Sequence, residues 1–290
     1  MPDSSKRNYN ITSVQRCLRL LSLFAQAENG LSASEVAKQS GLPVSTVHRF
    51  LVNLENAGFL AYGNGGKYHL GISSFAIGHA ALAQLDIRRL SLPYLEALNR
   101  KTRETIHLTV RNGLTAVYVE KLDSPEKLRI FSHIGGSVPL YCTAVGKVML
   151  AYLPQEQLEG MLQQMELRRL TASTISDPAE LRRHLQRVRK NGYAFDLEEH
   201  EAHIRCVAAP IWDPSGAVNA SLSLTAPVVR MGLSRLRELA PLLQEAGLHI
   251  SRALGYQGVG YQRNRISNVR LAGLPQTSMA RIGAQAISHG

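Results

Sequence analysis

Several things are scarce in this chain, and each scarcity removes a class of protein. There are three cysteines, Cys17, Cys142 and Cys206, far apart and with no C-x-x-C pair. An odd, sparse count excludes a disulfide framework and fits a reducing cytoplasm. No apolar run is long enough to span a bilayer. Residues 1–10 are polar, without the apolar core of a secretion signal, so no membrane partner is expected. Aromatics make up 6% of the residues, too few for the stacking platforms that bind single-stranded nucleic acids. Gly146-Lys147 lacks the glycine loop that would precede it in a phosphate-cradling turn. Acids are outnumbered, 22 Asp and Glu against 33 Lys and Arg, for a formal net charge of +11. That balance suits a nucleic-acid partner, although on its own it reports only general electrostatics.

What is present is more specific. With 290 residues, 44% of them hydrophobic, the chain has material for two packed domains. Near its start, Ser32-Ala33-Ser34-Glu35 opens a helix with a capping box. Gly41 stops that helix, Leu42 plugs the turn, and Pro43 is expected at the first position of a second helix. Val47, Leu51 and Leu54 recur there as a buried stripe. The opposite face carries Ser45, Thr46, His48, Arg49 and Asn53, which can donate hydrogen bonds to phosphates and base edges. Gly58 ends the helix. Phe59 to Tyr62 and Lys67 to Leu70 read as strands around the turn Gly63-Asn64-Gly65-Gly66, with Lys67 at the wing. The order describes a winged helix-turn-helix facing double-stranded DNA. Helical hairpins with polar outer faces also occur in proteins that touch no DNA; the basic face and the wing favour the DNA reading.

Residues 1–10 are expected to be disordered, 11–70 to form the DNA-binding domain, 71–86 a linker helix and 87–256 a second domain. Residues 257–290 read as a basic, disordered tail, with Arg263, Arg265, Arg270 and Arg281 and no acid. A helix over 12–26 places Val14, Cys17, Leu18, Leu21 and Ala25 on one face. The linker helix is Ala-rich and apolar on more than one side, so a second copy of the chain is expected to cover it. In the second domain a helix over 88–102 precedes strands over 105–110 and 116–120, joined at Asn112-Gly113, and a third strand over 128–133. Helices follow over 144–153 and 155–164 and from Asp177-Pro178 to Asn191, then strands over 206–212 and 217–225 and a last helix over 232–254. Hairpin-linked strands with helices grouped around them give an α+β fold with a mostly antiparallel sheet.

Four stretches carry a family resemblance: Gly41-Leu42-Pro43-Val44-Ser45-Thr46-Val47-His48-Arg49; Lys67-Tyr68-His69-Leu70-Gly71; Pro139-Leu140-Tyr141-Cys142-Thr143-Ala144-Val145-Gly146-Lys147; and Gly192-Tyr193 through Glu198-Glu199 to Cys206-Val207-Ala208-Ala209-Pro210. In this order they resemble the IclR family of bacterial transcriptional regulators over roughly residues 12–256. With Glu104-Thr105-Ile106-His107-Leu108, they look closest to its sugar-acid branch, of the 2-keto-3-deoxygluconate regulon repressor type. The resemblance implies a GAF-like C-terminal domain that binds a small organic-acid effector, and homodimers or homotetramers on palindromic operators. It implies no catalytic residue, no metal and no cofactor.

By motif, the resemblance carries the effector pocket onto Val138, Ala144, Val145, Asp196, Cys206, Ser223 and Thr225. Backbone N–H groups at a helix start near Ala144 and Val145 can hold a carboxylate. Ser223 and Thr225 alternate on one strand and so face one side; with Asp196 they can bond ligand hydroxyls, and Cys206 forms a soft wall. One departure is His203, which stands where the family usually has a Gly three residues before the cysteine. Glycine permits backbone geometry that His resists, so the imidazole is expected to enter the pocket or reshape its lid. An alternative takes Cys206, His200 and His203 as a thiol–imidazole or metal-ligand set, but that spacing arises easily by chance. The expected function is a repressor of sugar-acid or related organic-acid catabolism genes, relieved by its effector; activation by the same device is the alternative.

Overall fold

The computed structural model describes residues 11–258, apart from 26, 28, 64, 84, 85 and 129. The expectations for residues 1–10, for nearly all of the basic tail and for Asn64 of the wing turn lie outside the described residues. The chain divides into two compact units, one ending at residue 84 and one beginning at residue 85.

The first unit holds α1 (Thr12–Phe24), α2 (Ala33–Ser40), α3 (Val44–Asn56), the strands β1 (Leu60–Tyr62) and β2 (Tyr68–Leu70), and α4 (Ile72–Ala83). The capping box of α2 is complete: Glu35 N–H donates to Ser32 Oγ at 3.3 Å, and Ser32 N–H donates to Glu35 Oε2 at 2.7 Å. Gly41 closes α2 in the left-handed region at φ 70°. Pro43 sits one position earlier than expected, as the N-cap of α3 with ψ 140°. Its carbonyl accepts from Thr46 and Val47 at 3.0 Å, so the ring stays extended and Val44 begins the helix. β1 and β2 pair antiparallel from Leu60↔Leu70 to Tyr62↔Tyr68, and Leu31 adds an isolated bridge to Tyr68.

The core of this unit gathers Leu20, Phe24, Leu31, Val36, Val47, Leu51, Leu60 and Tyr68. It corrects the expected inner face of α1. Leu20 and Phe24 are buried and Cys17 and Leu21 half-buried, whereas Val14 and Leu18 are 50% and 59% exposed and Ala25 is exposed too. Leu20 and Phe24, one turn apart, are the larger pair, and burying them rotates Val14 and Leu18 outward.

The second unit is built on α5 (Asp86–Thr102), β3 (Thr105–Asn112), β4 (Thr115–Leu122), β5 (Ser137–Pro139), α6 (Ala144–Ala151), α7 (Gln155–Gln164), α8 (Pro178–Asn191), β6 (Ala194–Leu197), β7 (Ile204–Ile211), β8 (Ala220–Pro227) and α9 (Leu233–Ala253). The six strands form one antiparallel sheet in the order β5-β4-β3-β8-β7-β6. None of the described residues of the third strand expected over 128–133 is in a strand. Ser137–Pro139 pairs with β4 instead, because the Leu128 to His133 segment exposes its apolar residues: Leu128 is 58% and Phe131 85% exposed. β6 is an addition to the expected set. It is four residues long, between the left-handed cap Gly192 and Glu198 at φ 67°.

Opposed residues in an antiparallel sheet share a face. One face presents Ile106, Leu108, Leu222, Leu224, Val207 and Ala209, all fully buried, under α5 and α9. Gly247 of α9 lies against the Leu222 side chain, and Tyr94 of α5 stacks on His249 of α9. The other face carries Ala116, Ala194 and Ala208, packed against Val138 and against α6, α7 and α8. Gly146 is what lets α6 approach so closely: a Cβ there would overlap the backbone of Leu140.

Candidate functional site

The second face of the sheet is unusual in being polar while buried. Three rows cross it. Asp196, Cys206, Thr225 and Thr105 oppose one another on β6, β7, β8 and β3. The next row runs Ala194, Ala208, Ser223, His107 and Lys121, and a third holds Ser221, Thr109 and Tyr118. Asp196, Thr225, Thr105, Ser223, His107, Ser221 and Thr109 are all buried. Cys206 and Tyr118 are enclosed but remain partly accessible, which makes this part of the face the wall of a recess.

Buried polar groups must find partners or hold a ligand. Ser221 and Thr109 are satisfied by backbone, donating to the carbonyls of Ala209 and Ser221. Thr225 Oγ1 lies 3.5 Å from His107 Nδ1, and His107 Nε2 is 2.8 Å from Ser132 Oγ. The hydroxyl of Ser223 has no hydrogen-bond partner among the described residues.

At one edge of the recess α6 begins. Thr143 caps it, its hydroxyl accepting from Gly146 N–H at 3.2 Å. The N–H groups of Ala144 and Val145 precede the first intrahelical bonds and stay available to an acceptor. Both residues share a packed cluster with Val138 and Cys206. Less than one turn later, Lys147 is fully buried and paired with Glu199, whose second oxygen is buried without a partner among the described residues. Asp196 accepts the Glu199 N–H at 2.8 Å. The 198–203 turn is thereby tied both to α6 and to β6.

Burial sets the protonation of this region. It pushes the Asp196 carboxyl up to about 7, against the pull of Lys147, and raises Glu199 and Cys206 in the same way. Burial, helped by the charge of Lys121, pushes His107 down to about 3. The recess therefore offers a neutral His107 and an Asp196 that titrates near neutrality, beside a helix start that attracts anions. No group of three or more His, Cys, Asp or Glu able to hold a metal ion occurs among the described residues.

The eight residues expected in the effector pocket thus divide. Asp196, Cys206, Thr225 and Ser223 meet on one sheet face, with Val138, Ala144 and Val145 in the adjoining cluster. His203 is apart from them in kind: it is exposed, in the turn before β7, with φ 67°. That backbone angle is why a glycine suits the position, and His holds it at a cost of about 1 kcal/mol. Its N–H donates to Glu198 and its carbonyl accepts from Val228. The sequence did not single out His107, Tyr118, Ser132, Lys147 or Glu199. The alternation Thr105, His107, Thr109 was visible, but it reads as the wet side of a half-buried strand until β8 and α6 are known to cover it.

In the first unit, α3 presents Ser45, His48, Arg49 and Asn53 as exposed residues and Thr46 as half-buried. Val44, also 52% exposed, heads the same face. Asn53 turns its amide back onto the Arg49 carbonyl at 2.7 Å. Lys67 Nζ lies 3.7 Å from Glu35 Oε1, a solvent-exposed pair that a phosphate can displace.

A helix-turn-helix with a wing, joined in one chain to a domain with a polar recess, defines a ligand-responsive DNA-binding regulator. Residues 13–63 match the IclR helix-turn-helix domain, and residues 79–252 match the C-terminal domain of bacterial transcriptional regulators of the IclR type. The chain belongs to the IclR family. It is 36% identical over 247 residues to the regulator XynR of Escherichia coli, covering 85% of this chain and 98% of that one. It is 35% identical over 255 residues to KdgR of the same organism, covering 88% and 97%. Among solved structures, an IclR homologue from Microbacterium hydrocarbonoxydans complexed with 4-hydroxybenzoate superposes with a TM-score of 0.70 at 27% identity, covering 84% of this chain and 99% of that one. These relatives are regulators, and the chain is a transcriptional regulator, not an enzyme.

Proposed function

We propose that the protein represses genes of sugar-acid or related organic-acid catabolism in the cytoplasm, and that a small carboxylate effector relieves the repression. A homodimer or homotetramer binds a palindromic operator. Ser45, Thr46, His48, Arg49 and Asn53 enter the major groove and Lys67 meets a phosphate at the wing. The effector's carboxylate sits at the Ala144 and Val145 N–H groups, and its hydroxyls meet Asp196, Ser223 and Thr225, with Val138 and Cys206 as walls. His203 closes the turn beside this site. The supporting observation is the buried polar row Asp196–Cys206–Thr225 next to the start of α6. An apolar domain core has no use for such a row, whereas a polyhydroxylated anion does. Kinship with KdgR favours a sugar acid.

The test is a footprint on the promoter upstream of the protein's own gene, with and without 2-keto-3-deoxygluconate. Protection that the compound releases is expected. Arg49→Ala should weaken operator binding at least tenfold, the loss of one base or phosphate contact, with effector affinity unchanged. No protected bases with folded protein would overturn the reading.

A further inference from the structure

His107 stands in the 104–108 stretch that carries the resemblance but is not among the effector-pocket positions the resemblance implies, and it is buried on the recess face, 1% exposed. Its neighbours are unequal. Nδ1 faces Thr225 Oγ1, part of the rigid sheet, whereas Nε2 meets Ser132 Oγ at 2.8 Å. Ser132 lies in the segment 123–136 between β4 and β5, whose described residues form no helix or strand and expose Leu128, Phe131 and Ile134. The same serine is gripped through its carbonyl by Lys121 Nζ at 2.6 Å. Removing its hydroxyl from His107 therefore leaves the segment anchored. On the recess side the imidazole lies 4.5 Å, centroid to centroid, from the ring of the partly accessible Tyr118.

A neutral imidazole offers one donor and one acceptor. Paired with Thr225, which can take either role, it can turn either character toward Nε2. That is the requirement for reading an alcohol, and a poor one for a carboxylate, which wants donors only. We propose that His107 is a specificity-determining residue of the effector site: it hydrogen-bonds a hydroxyl of a polyhydroxylated carboxylate, exchanging the Ser132 hydroxyl for that of the ligand. The division of labour is then an anion at α6 and an alcohol at β3. This rests on the sugar-acid reading above and adds the group that separates a hydroxylated acid from a bare one.

Calorimetric titration of the full chain with two probes tests it. 2-Keto-3-deoxygluconate and pyruvate share a 2-keto acid head, and only the first carries a polyol. His107→Leu should lower affinity for 2-keto-3-deoxygluconate about tenfold, one hydrogen bond to a buried polar partner, and leave pyruvate unchanged. His107→Gln, which keeps a donor and an acceptor, should restore part of the loss. Ser132→Ala removes the competitor and should tighten the polyol about fivefold, again without effect on pyruvate. It also carries the test should His107→Leu fail to fold. Equal losses for both probes, or an unchanged polyol affinity in His107→Leu, or an unchanged or weaker one in Ser132→Ala, would overturn the assignment while the sugar-acid reading stands. If the unsubstituted protein binds neither probe, the sugar-acid reading falls and this inference with it.

Discussion

Asp196 carries the sharpest consequence of any single residue. Its folded-state value of about 7 lies above the ordinary 3.8. Between those limits the folded protein keeps a proton that the unfolded chain has released. By linkage, this group's effect on stability is neutral below about pH 4, then increasingly unfavourable until the pH passes about 7. Asp196→Asn keeps an acceptor for the Glu199 N–H and removes the ionisation. Thermal melts at pH 5.5 and pH 8.5 should show the variant gaining on the parent at the higher pH by about 2 kcal/mol. A parent whose stability relative to Asp196→Asn is the same at both pH values would show that the carboxyl is ionised throughout. His203 makes the complementary point about legibility. Its place in the glycine position of the family motif was readable from sequence, and so was the backbone conflict. That the conflict would be met by an exposed turn, with the side chain in solvent, was not, because the contacts fixing the turn come from Val228 and Glu198.

At the scale of elements, helices were legible and sheet edges were not. Local rules wrote α2, α3 and α8: a capping box, a left-handed Gly41, and an Asp177 that accepts the Glu180 N–H at 2.6 Å. β5 and β6 are three and four residues long, too short to show alternation, and they exist because β4 and β7 offer edges to pair with. Leu128 to His133 has the composition of a strand, but its described residues pair with none. The place of His107 in the polar face escaped notice for a related reason: it meets Thr225 across a separation of 118 positions.

The motif glycine Gly146 is an element-scale device. It sets the distance between α6 and the Leu140 backbone, and so the position of the Ala144 and Val145 N–H groups. Gly146→Ala must push α6 outward at a cost of about 1–3 kcal/mol, outweighing the helix propensity that alanine brings. The melting temperature should fall and carboxylate binding should weaken with it, for pyruvate and 2-keto-3-deoxygluconate alike. A variant of unchanged stability would mean that the 140–143 turn yields, and that the helix start is not rigidly placed.

For the molecule as a whole, the exposed apolar surface of the first unit is the feature that its own fold leaves unexplained. α4 presents Ile72, Phe75 and Ile77 at 76%, 67% and 57% exposure, and α1 with its N-cap Ile11 presents Ile11, Val14 and Leu18 at 62%, 50% and 59%. A helix apolar on several sides is stable in water only when neighbours cover it. Burial of a large side chain such as Phe75 contributes roughly 1.5–3 kcal/mol. The expectation of a second copy came from the composition of α4; the α1 surface was hidden by assigning Val14 and Leu18 to the core. Two copies also answer a need of the reading head, since one α3 contacts only a few base pairs and a dimer multiplies two modest affinities through effective concentration. Phe75→Glu places a charge on this surface without touching the core, so each unit should fold as before. In sedimentation velocity the variant should run as a smaller species than the parent at the same concentration. Operator affinity should drop by about 100-fold, within the range that avidity supplies, whereas pyruvate and 2-keto-3-deoxygluconate should bind the second unit as they bind the parent. A variant that keeps both its oligomeric state and its operator affinity would show that α4 is covered by something other than a second copy, and that the apolar face of α1 must be tested separately by Leu18→Glu.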